Sequence, residues 1–120
     1  LLTDVTSGAW IQVRLTFSDE LIVVDAQGNT RAPELLSLGT LQQLYLCLRI
    51  ALLLCADNVG RSIPVLADDI LVNFDATRRQ GVARARALLA LERQVILMSC
   101  HEDVVDVMLK ADPSANIIRL

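Results

Sequence analysis

One long apolar segment limits what this chain can fold into. Residues 38–56 are hydrophobic apart from one narrow polar strip, and such a segment is predicted to form a buried helix rather than a surface one. The polar strip consists of Gly39, Gln42, Gln43 and Arg49. Ser37 precedes the segment as a natural N-cap, and a helix start with free N–H groups can also bind an anion. Taken alone, the sequence of this segment favours Ser37 acting only as the cap of a core helix.

Two apolar runs downstream each end in residues that can carry chemistry. Pro64 opens a run that ends in Asp68 and Asp69, and residues 94–100 form a second run followed by His101. Both runs are typical of buried parallel strands. Ligands of parallel sheets lie beyond the carboxyl ends of the strands, so the two aspartates and the histidine are predicted to share one edge.

The remaining periodicities predict an α/β fold. Residues 9–17 alternate as a half-buried strand, and residues 21–25 form a second strand after a short turn. Helices are predicted over 75–92 and 102–110, and a last strand over 116–120. We therefore expect one domain over residues 1–120, with a mainly parallel sheet flanked by helices and an N-terminal antiparallel meander.

Composition narrows the function classes. Hydrophobic residues make up 53% of the chain and aromatic residues only 3%, which predicts an aliphatic core. A net charge of −3 argues against broad electrostatic attraction to nucleic acid, and the charge-free apolar stretches are short for a membrane span. Cys47, Cys55 and Cys100 fall in segments predicted to be buried, without metal-binding spacing. Free thiols of this kind favour a cytoplasmic protein.

Three segments in order resemble motifs of the ABC-type ATPases. They are LSLGTLQQLYLCLRIAL from residue 36, PVLADDILVNFDATR from residue 64 and QVILMSCHE from residue 94. In that order they are similar to the signature, the Walker B motif with its D-loop, and the H-loop. The amino-acid sequences of these segments are most similar to those of the SMC-like heads of the YhaN and SbcC kind, and especially to the YhaN-like branch. The resemblance covers nearly the whole chain.

The resemblance implies a role for each strand-end residue. It makes Asp68 the Walker B aspartate that holds Mg²⁺, mostly through water, because Mg²⁺ favours carboxylate and water oxygens. Asp69 stands where most ABC-type ATPases have the catalytic glutamate that orients the attacking water. His101 matches the H-loop histidine that reaches the γ-phosphate and this water. The aspartate at 69 is one methylene shorter than glutamate, which is a departure from the majority pattern.

The resemblance also implies contacts with a second head. The signature residues Ser37, Leu38, Gly39 and Thr40 would close over the γ-phosphate of ATP bound by the opposite protomer. Asp75 of the D-loop, in Asn73-Phe74-Asp75, would lie across the same interface, and it is also a natural N-cap for the helix that follows.

The chain lacks a phosphate-binding loop. No G-x-x-x-x-G-K-[ST] segment occurs in it, and Lys110 is its only lysine. In SMC-like proteins the Walker A lobe lies at the other end of a long coiled coil. We therefore expect a C-terminal lobe that binds Mg-ATP only with its own N-terminal lobe and a second head. DNA and a nuclease subunit are further partners that the resemblance suggests, in DNA repair or chromosome maintenance.

Two alternative functions remain open from the sequence. A non-hydrolysing module that uses ATP only to gate dimerisation would suit the shorter Asp69. A metal-dependent nuclease could be built on Asp68, Asp69 and His101, but it would need a further carboxylate. The arginines of the 75–92 helix are predicted to form a solvated face rather than a contact surface for DNA phosphates.

Overall fold

Helices and strands succeed one another along the chain, and the computed structural model describes them for residues 1–55, 63–72 and 74–120. The elements are, in order, α1 (Leu2–Val5), β1 (Trp10–Leu15), β2 (Leu21–Asp25), β3 (Thr30–Arg31), a 3₁₀ turn (Pro33–Leu35), α2 (Leu38–Cys55), β4 (Val65–Asp68), α3 (Ala76–Ala90), β5 (Val95–Met98) and α4 (Glu102–Ala111). The class is mixed α/β. The predicted helix end at Ala56 and Asn73, which the resemblance assigns to a D-loop, lie outside the described residues.

The first three strands form the predicted antiparallel meander, in the order β1-β2-β3. The turn after β2 is organised by Asp25, whose Oδ1 accepts the N–H groups of Gln27 at 2.9 Å and Asn29 at 2.8 Å. The predicted burial of one face of β1 is wrong, because Ile11 and Leu15 are exposed. The register shifts between Trp10 and Gln12, and such a bulge interrupts the strict alternation of side chains.

The second sheet is a pair of parallel strands, β4 and β5, in register from Val65 opposite Val95 to Asp68 opposite Met98. The prediction of a mainly parallel sheet is therefore not confirmed, because the described residues form only this one parallel pair beside the antiparallel meander. The predicted last strand is also wrong, because residues 116–120, all of them described, form no strand and are exposed. Instead, the Arg119 guanidinium pairs with Glu102 at the start of α4, so this segment is tied to a helix and not to a sheet edge.

The long helix α2 is buried on one face only. Its buried side chains are those of Gln43, Leu44, Cys47 and Ile50. Leu38, Tyr45 and Leu52 are exposed, so the prediction of a buried helix holds for one face only. Within the polar strip, Gln43 is only 2% exposed, and its Nε2 donates to the Val5 carbonyl at 2.7 Å. A buried amide is tolerated there because the hydrogen bond replaces its water.

Helix α2 is also the one helix among the described residues that is long and apolar enough to cross a membrane. Its length lies at the lower limit for a span, and Gln43 and Arg49 are polar residues within it. Its buried face packs against α1 and α3. The cytoplasmic location stays a prediction.

The core is aliphatic, as predicted, and is centred on α3, which packs against α1, α2 and α4. The clustered buried residues are Val5, Cys47, Ile50, Leu71, Phe74, Val82, Ala85, Leu89 and Val104. Burial raises the pKa of the Cys47 thiol to about 11, so this cysteine is held as a neutral thiol. Cys55 and Cys100 are exposed, contrary to prediction. Cys100 lies beyond the end of β5 at Met98.

Helix α1 is fixed by close backbone packing against α3. A Cβ added to the buried Gly81 would lie 2.7 Å from the Val5 carbonyl oxygen and 2.8 Å from the Val5 Cα. Glycine at 81 therefore lets the backbone of α1 approach the middle of α3. Together with the Gln43 hydrogen bond, this contact ties the first residues of the chain to both long helices.

Gly81→Ala should lower the free energy of unfolding by about 1–3 kcal/mol, because overpacking against a backbone outweighs the roughly 1 kcal/mol gain in helix propensity. Urea unfolding followed by circular dichroism measures the change. Gln80→Ala, at an exposed position of the same helix, is the matched control. Equal or increased stability of Gly81→Ala would show that α1 is not held at this position.

Candidate functional site

The turn after β4 gives Asp69 an unusual backbone conformation. Its φ is 45°, in the left-handed region, and its N–H donates to the Met98 carbonyl at 3.0 Å, which continues the β4–β5 ladder. Asp is among the few non-glycine residues enriched in this region. The backbone thus favours aspartate over glutamate at 69, which gives a local physical reason for the shorter side chain.

His101 combines a capping position with an exposed side chain. It is the N-cap residue of α4, and its carbonyl accepts the N–H of Val104 at 3.2 Å. Its own N–H donates to Ser99 Oγ at 3.2 Å, whereas its imidazole makes no capping hydrogen bond. The backbone of His101 therefore begins the helix while the exposed ring is left available for other partners.

The fold brings Asp69 and His101 together, as their positions at the strand ends predicted. A carboxylate oxygen of Asp69, the Sγ of Cys100 and a ring nitrogen of His101 all lie within 4.8 Å of one another. All three residues are exposed. We call Asp69, Cys100 and His101 the strand-end cluster; Cys100 is the member that the sequence did not predict.

Asp68 ends β4 beside this cluster but is not part of it. It is exposed and lies opposite Met98 in the register of the sheet. Its carboxylate supplies the hard oxygen ligands that Mg²⁺ requires, and Asp69 supplies a second carboxylate directly after it in the chain. The residues present are thus chemically suited to Mg²⁺, and their metal-binding role stays a prediction.

The start of α2 is capped as predicted. Ser37 Oγ accepts the Thr40 N–H at 3.3 Å, and the Ser37 carbonyl accepts the Leu41 N–H at 2.9 Å. The two hydroxyls of Ser37 and Thr40 are also 2.9 Å apart. Leu38, within the same first turn, is exposed. Ser37 is therefore a real cap, which neither requires nor excludes the signature role.

Asp75 begins α3 and lies close to the start of α2. Its Oδ1 accepts the Arg78 N–H at 2.9 Å, and its Oδ2 is 3.5 Å from the Arg78 Nε. The Arg78 guanidinium extends over Gly39, where an added Cβ would overlap its Nη1. Gly39 therefore leaves room for this guanidinium at the start of α2.

A cleft of about 220 Å³ lies between the starts of these two helices. Its lining includes Thr40, Asp75 and Arg78, together with Ser7 and Trp10 from the N-terminal segment. We call it the helix-start cleft. The predicted site residues thus fall into two groups: Asp69 and His101 lie at the strand ends, and Thr40 and Asp75 line the cleft.

The prediction that the α3 arginines form a solvated face is wrong for Arg86 and only partly right for Arg79, whereas Arg84 is exposed as predicted. Arg86 is 4% exposed, and its Nε and Nη1 have no hydrogen-bond partner among the described residues. Burial lowers the pKa of Arg86 to about 10. Arg79 donates to the carbonyls of Leu71 and Val72 and pairs with Asp103. Arg79 thus bonds to the turn after β4 and to α4, contacts that sequence spacing does not reveal.

The Arg79–Asp103 pair connects the turn after β4 with the first turn of α4, near His101. Desolvation raises the pKa of Asp103, but the hydrogen bond and positive charge of Arg79 outweigh it and leave this pKa below its usual range. A carboxylate with a lowered pKa contributes stability above its unfolded-state pKa and loses it as the pH falls through the folded-state value.

Asp103→Asn should therefore lower the thermal unfolding midpoint at pH 7, and the difference from the unchanged chain should shrink as the pH falls below the ordinary aspartate range and through the lowered pKa of Asp103. Circular dichroism melts across this pH range measure it, with Asp106→Asn at an exposed position of the same helix as control. A difference that is independent of pH would contradict the ion pair between α3 and α4.

Comparison with known proteins gives one informative similarity. The chain is 34% identical over 103 residues to the uncharacterized protein YhaN of Bacillus subtilis (strain 168). This match includes 85% of the chain but 10% of YhaN, so the chain spans about a tenth of the length of this relative. No family model matches the chain. The similarity indicates a YhaN-like relationship and does not itself assign an activity.

Proposed function

We propose that this chain is the C-terminal lobe of an SMC-like ATPase head, which dimerises around Mg-ATP and hydrolyses it when joined to its Walker A lobe. The observation that carries the proposal is the approach of Asp69 and His101 at the strand ends, within 4.8 Å. The two residues are far apart in the sequence and meet because β4 and β5 are adjacent and parallel. The resemblance to the Walker B and H-loop motifs, which follow one another in the same order along the chain, implies a role for Asp69 and for His101.

The residues of the strand ends have complementary chemistry for phosphoryl transfer to water. Asp68 would hold Mg²⁺, which neutralises phosphate charge when bound. Asp69, exposed at the strand end, accepts a proton from the attacking water. The imidazole of His101 donates a hydrogen bond towards the negative charge that develops on the phosphate. The fold contributes to this chemistry because the sheet positions Asp69 and His101 close together.

The helix-start cleft supports the approach of a second head. Its lining joins Thr40, at the start of α2, to Arg78, so it offers a hydroxyl and a cation to an anion. By the resemblance, Ser37, Gly39 and Asp75 face the nucleotide of the opposite protomer. Thr40 and Asp75 line this cleft together, whereas Asp69 and His101 lie at the strand ends. This separation into two groups agrees with that arrangement.

The outer face of the β4–β5 pair supports a Walker A lobe as the partner. Leu66, Ile96 and Met98 on this face are 67%, 39% and 45% exposed. Parallel strands are normally covered on both faces, and a contiguous apolar face is a typical interaction surface. The lobe that supplies the phosphate-binding loop is the occupant that we assign to it.

Asp69 also favours a second candidate function. Its carboxylate is one methylene shorter than that of glutamate, and its backbone conformation suits aspartate independently of catalysis. A head with a weak base would bind ATP and dimerise with little hydrolysis. The nuclease alternative has less support, because the strand-end cluster found among the described residues contains one carboxylate. DNA, a nuclease subunit and a role in DNA repair rest on the resemblance alone.

In a head that contains this chain and its Walker A lobe, Asp69→Asn should reduce ATP hydrolysis by about 10²- to 10⁴-fold and leave ATP binding unchanged. Asparagine keeps the shape of the side chain and also tolerates a positive φ, so the turn is preserved. Steady-state phosphate release and calorimetric titration with Mg-ATP measure the two quantities.

Asp19→Asn is the matched control, because Asp19 is an exposed aspartate with a φ of 60° in the turn between β1 and β2. Unchanged turnover of Asp69→Asn would show that Asp69 is not the base. A head that binds ATP and dimerises without measurable turnover, with or without Asp69, would favour the gating module. The chain without a Walker A lobe should show no binding.

A further inference from the structure

The strand-end cluster contains three different metal-ligating groups from two elements. Asp69 comes from the turn after β4, whereas Cys100 and His101 come from the segment between β5 and α4. The carboxylate oxygen, thiol sulfur and ring nitrogen lie within 4.8 Å of one another on an exposed surface. The thiol is the unusual member, because neither the Walker B nor the H-loop interpretation uses it.

The spacing of these groups is close to that of a metal site. Zinc–ligand distances of about 2.0–2.3 Å place the ligands of a tetrahedral site roughly 3.3–3.8 Å apart. The largest separation of 4.8 Å in the cluster therefore has to shrink by about 1–1.5 Å. Rotation of exposed side chains can supply this change without moving the strands.

We propose that Asp69, Cys100 and His101 bind Zn²⁺, with the fourth coordination position open to water. The proposal excludes Mg²⁺ as the preferred ion of this cluster, because thiolate and imidazole ligands select zinc and similar ions over magnesium. On binding, the Cys100 thiol releases its proton to solvent and the thiolate sulfur bonds to the metal. Affinity should therefore fall as the pH is lowered.

The site also provides a means of regulating hydrolysis, and this part rests on the proposed function. Zinc bound to Asp69 and His101 occupies the carboxylate that accepts the proton and the imidazole that faces the phosphate. Zinc is therefore an inhibitor of hydrolysis that leaves the helix-start cleft untouched. Cys100 makes this inhibition specific, since it binds zinc and has no part in the reaction.

Titration of the 120-residue chain with Co²⁺, a spectroscopic substitute for zinc, tests the binding site without nucleotide. We expect a thiolate-to-cobalt charge-transfer band that is abolished by Zn²⁺ in competition and absent in Cys100→Ser. Cys55→Ser, at the other exposed cysteine, is the matched control and should retain the band. Loss of a residue that hydrogen-bonds to a metal ligand typically weakens metal binding roughly 10- to 100-fold. Because His101 is itself a ligand in this proposal, His101→Gln should weaken zinc binding by more than that.

A band that persists in Cys100→Ser, or no band in the unchanged chain, would overturn the zinc site. Circular dichroism of each variant separates loss of ligands from loss of fold. In the head with its Walker A lobe, zinc should inhibit hydrolysis of the unchanged protein at concentrations at least tenfold below those needed for Cys100→Ser. Zinc binding without this difference in inhibition between the unchanged protein and Cys100→Ser would overturn the regulatory role of zinc. A head that shows the cobalt band but hydrolyses no ATP would overturn only the proposed ATPase activity.

Discussion

The parallel pairing of β4 with β5 is the constraint on which the candidate site depends. Its ladder extends one step beyond β4, where the Asp69 N–H donates to the Met98 carbonyl at 3.0 Å. This hydrogen bond holds Asp69 in a left-handed conformation and directs the chain into the following turn. A one-residue slip in the register would move Asp69 away from His101 and would also expose the inner face of the sheet. Core packing and site geometry are therefore set by the same pairing.

A second constraint organises the other half of the molecule. The backbone of Val5 lies against Gly81, and its carbonyl is held by the buried Gln43. These contacts link α1 to α2 and α3, whose starts form the helix-start cleft. Arg78 then spans the cleft from Asp75 to the backbone at the start of α2. The positions of the signature-like and D-loop-like residues thus follow from helix packing, not from the parallel strands.

The sequence was sufficient where local pattern decides the structure. Apolar runs placed β4 and β5, the capping residues placed the starts of α2 and α3, and the rule for parallel strands predicted that Asp69 and His101 meet. It was insufficient where burial depends on what covers a face. The amide of Gln43 and the guanidinium of Arg86 are buried by neighbouring helices, which helical periodicity within one segment cannot reveal. The prediction of a last strand over residues 116–120 is wrong for the same reason, because a strand needs a free sheet edge as well as an apolar sequence.

The mass in solution of a head carrying Asp69→Asn, with its Walker A lobe and Mg-ATP, tests the central claim most directly. The account predicts a dimer that Ser37→Arg abolishes while ATP binding to each monomer is retained, because a long side chain obstructs the start of α2. Ser37→Ala is the matched control, since it removes the cap, at about 1 kcal/mol, without adding bulk. It should still dimerise. If Ser37→Arg dimerises as well, this helix start does not face a partner's nucleotide and the half-head account is contradicted.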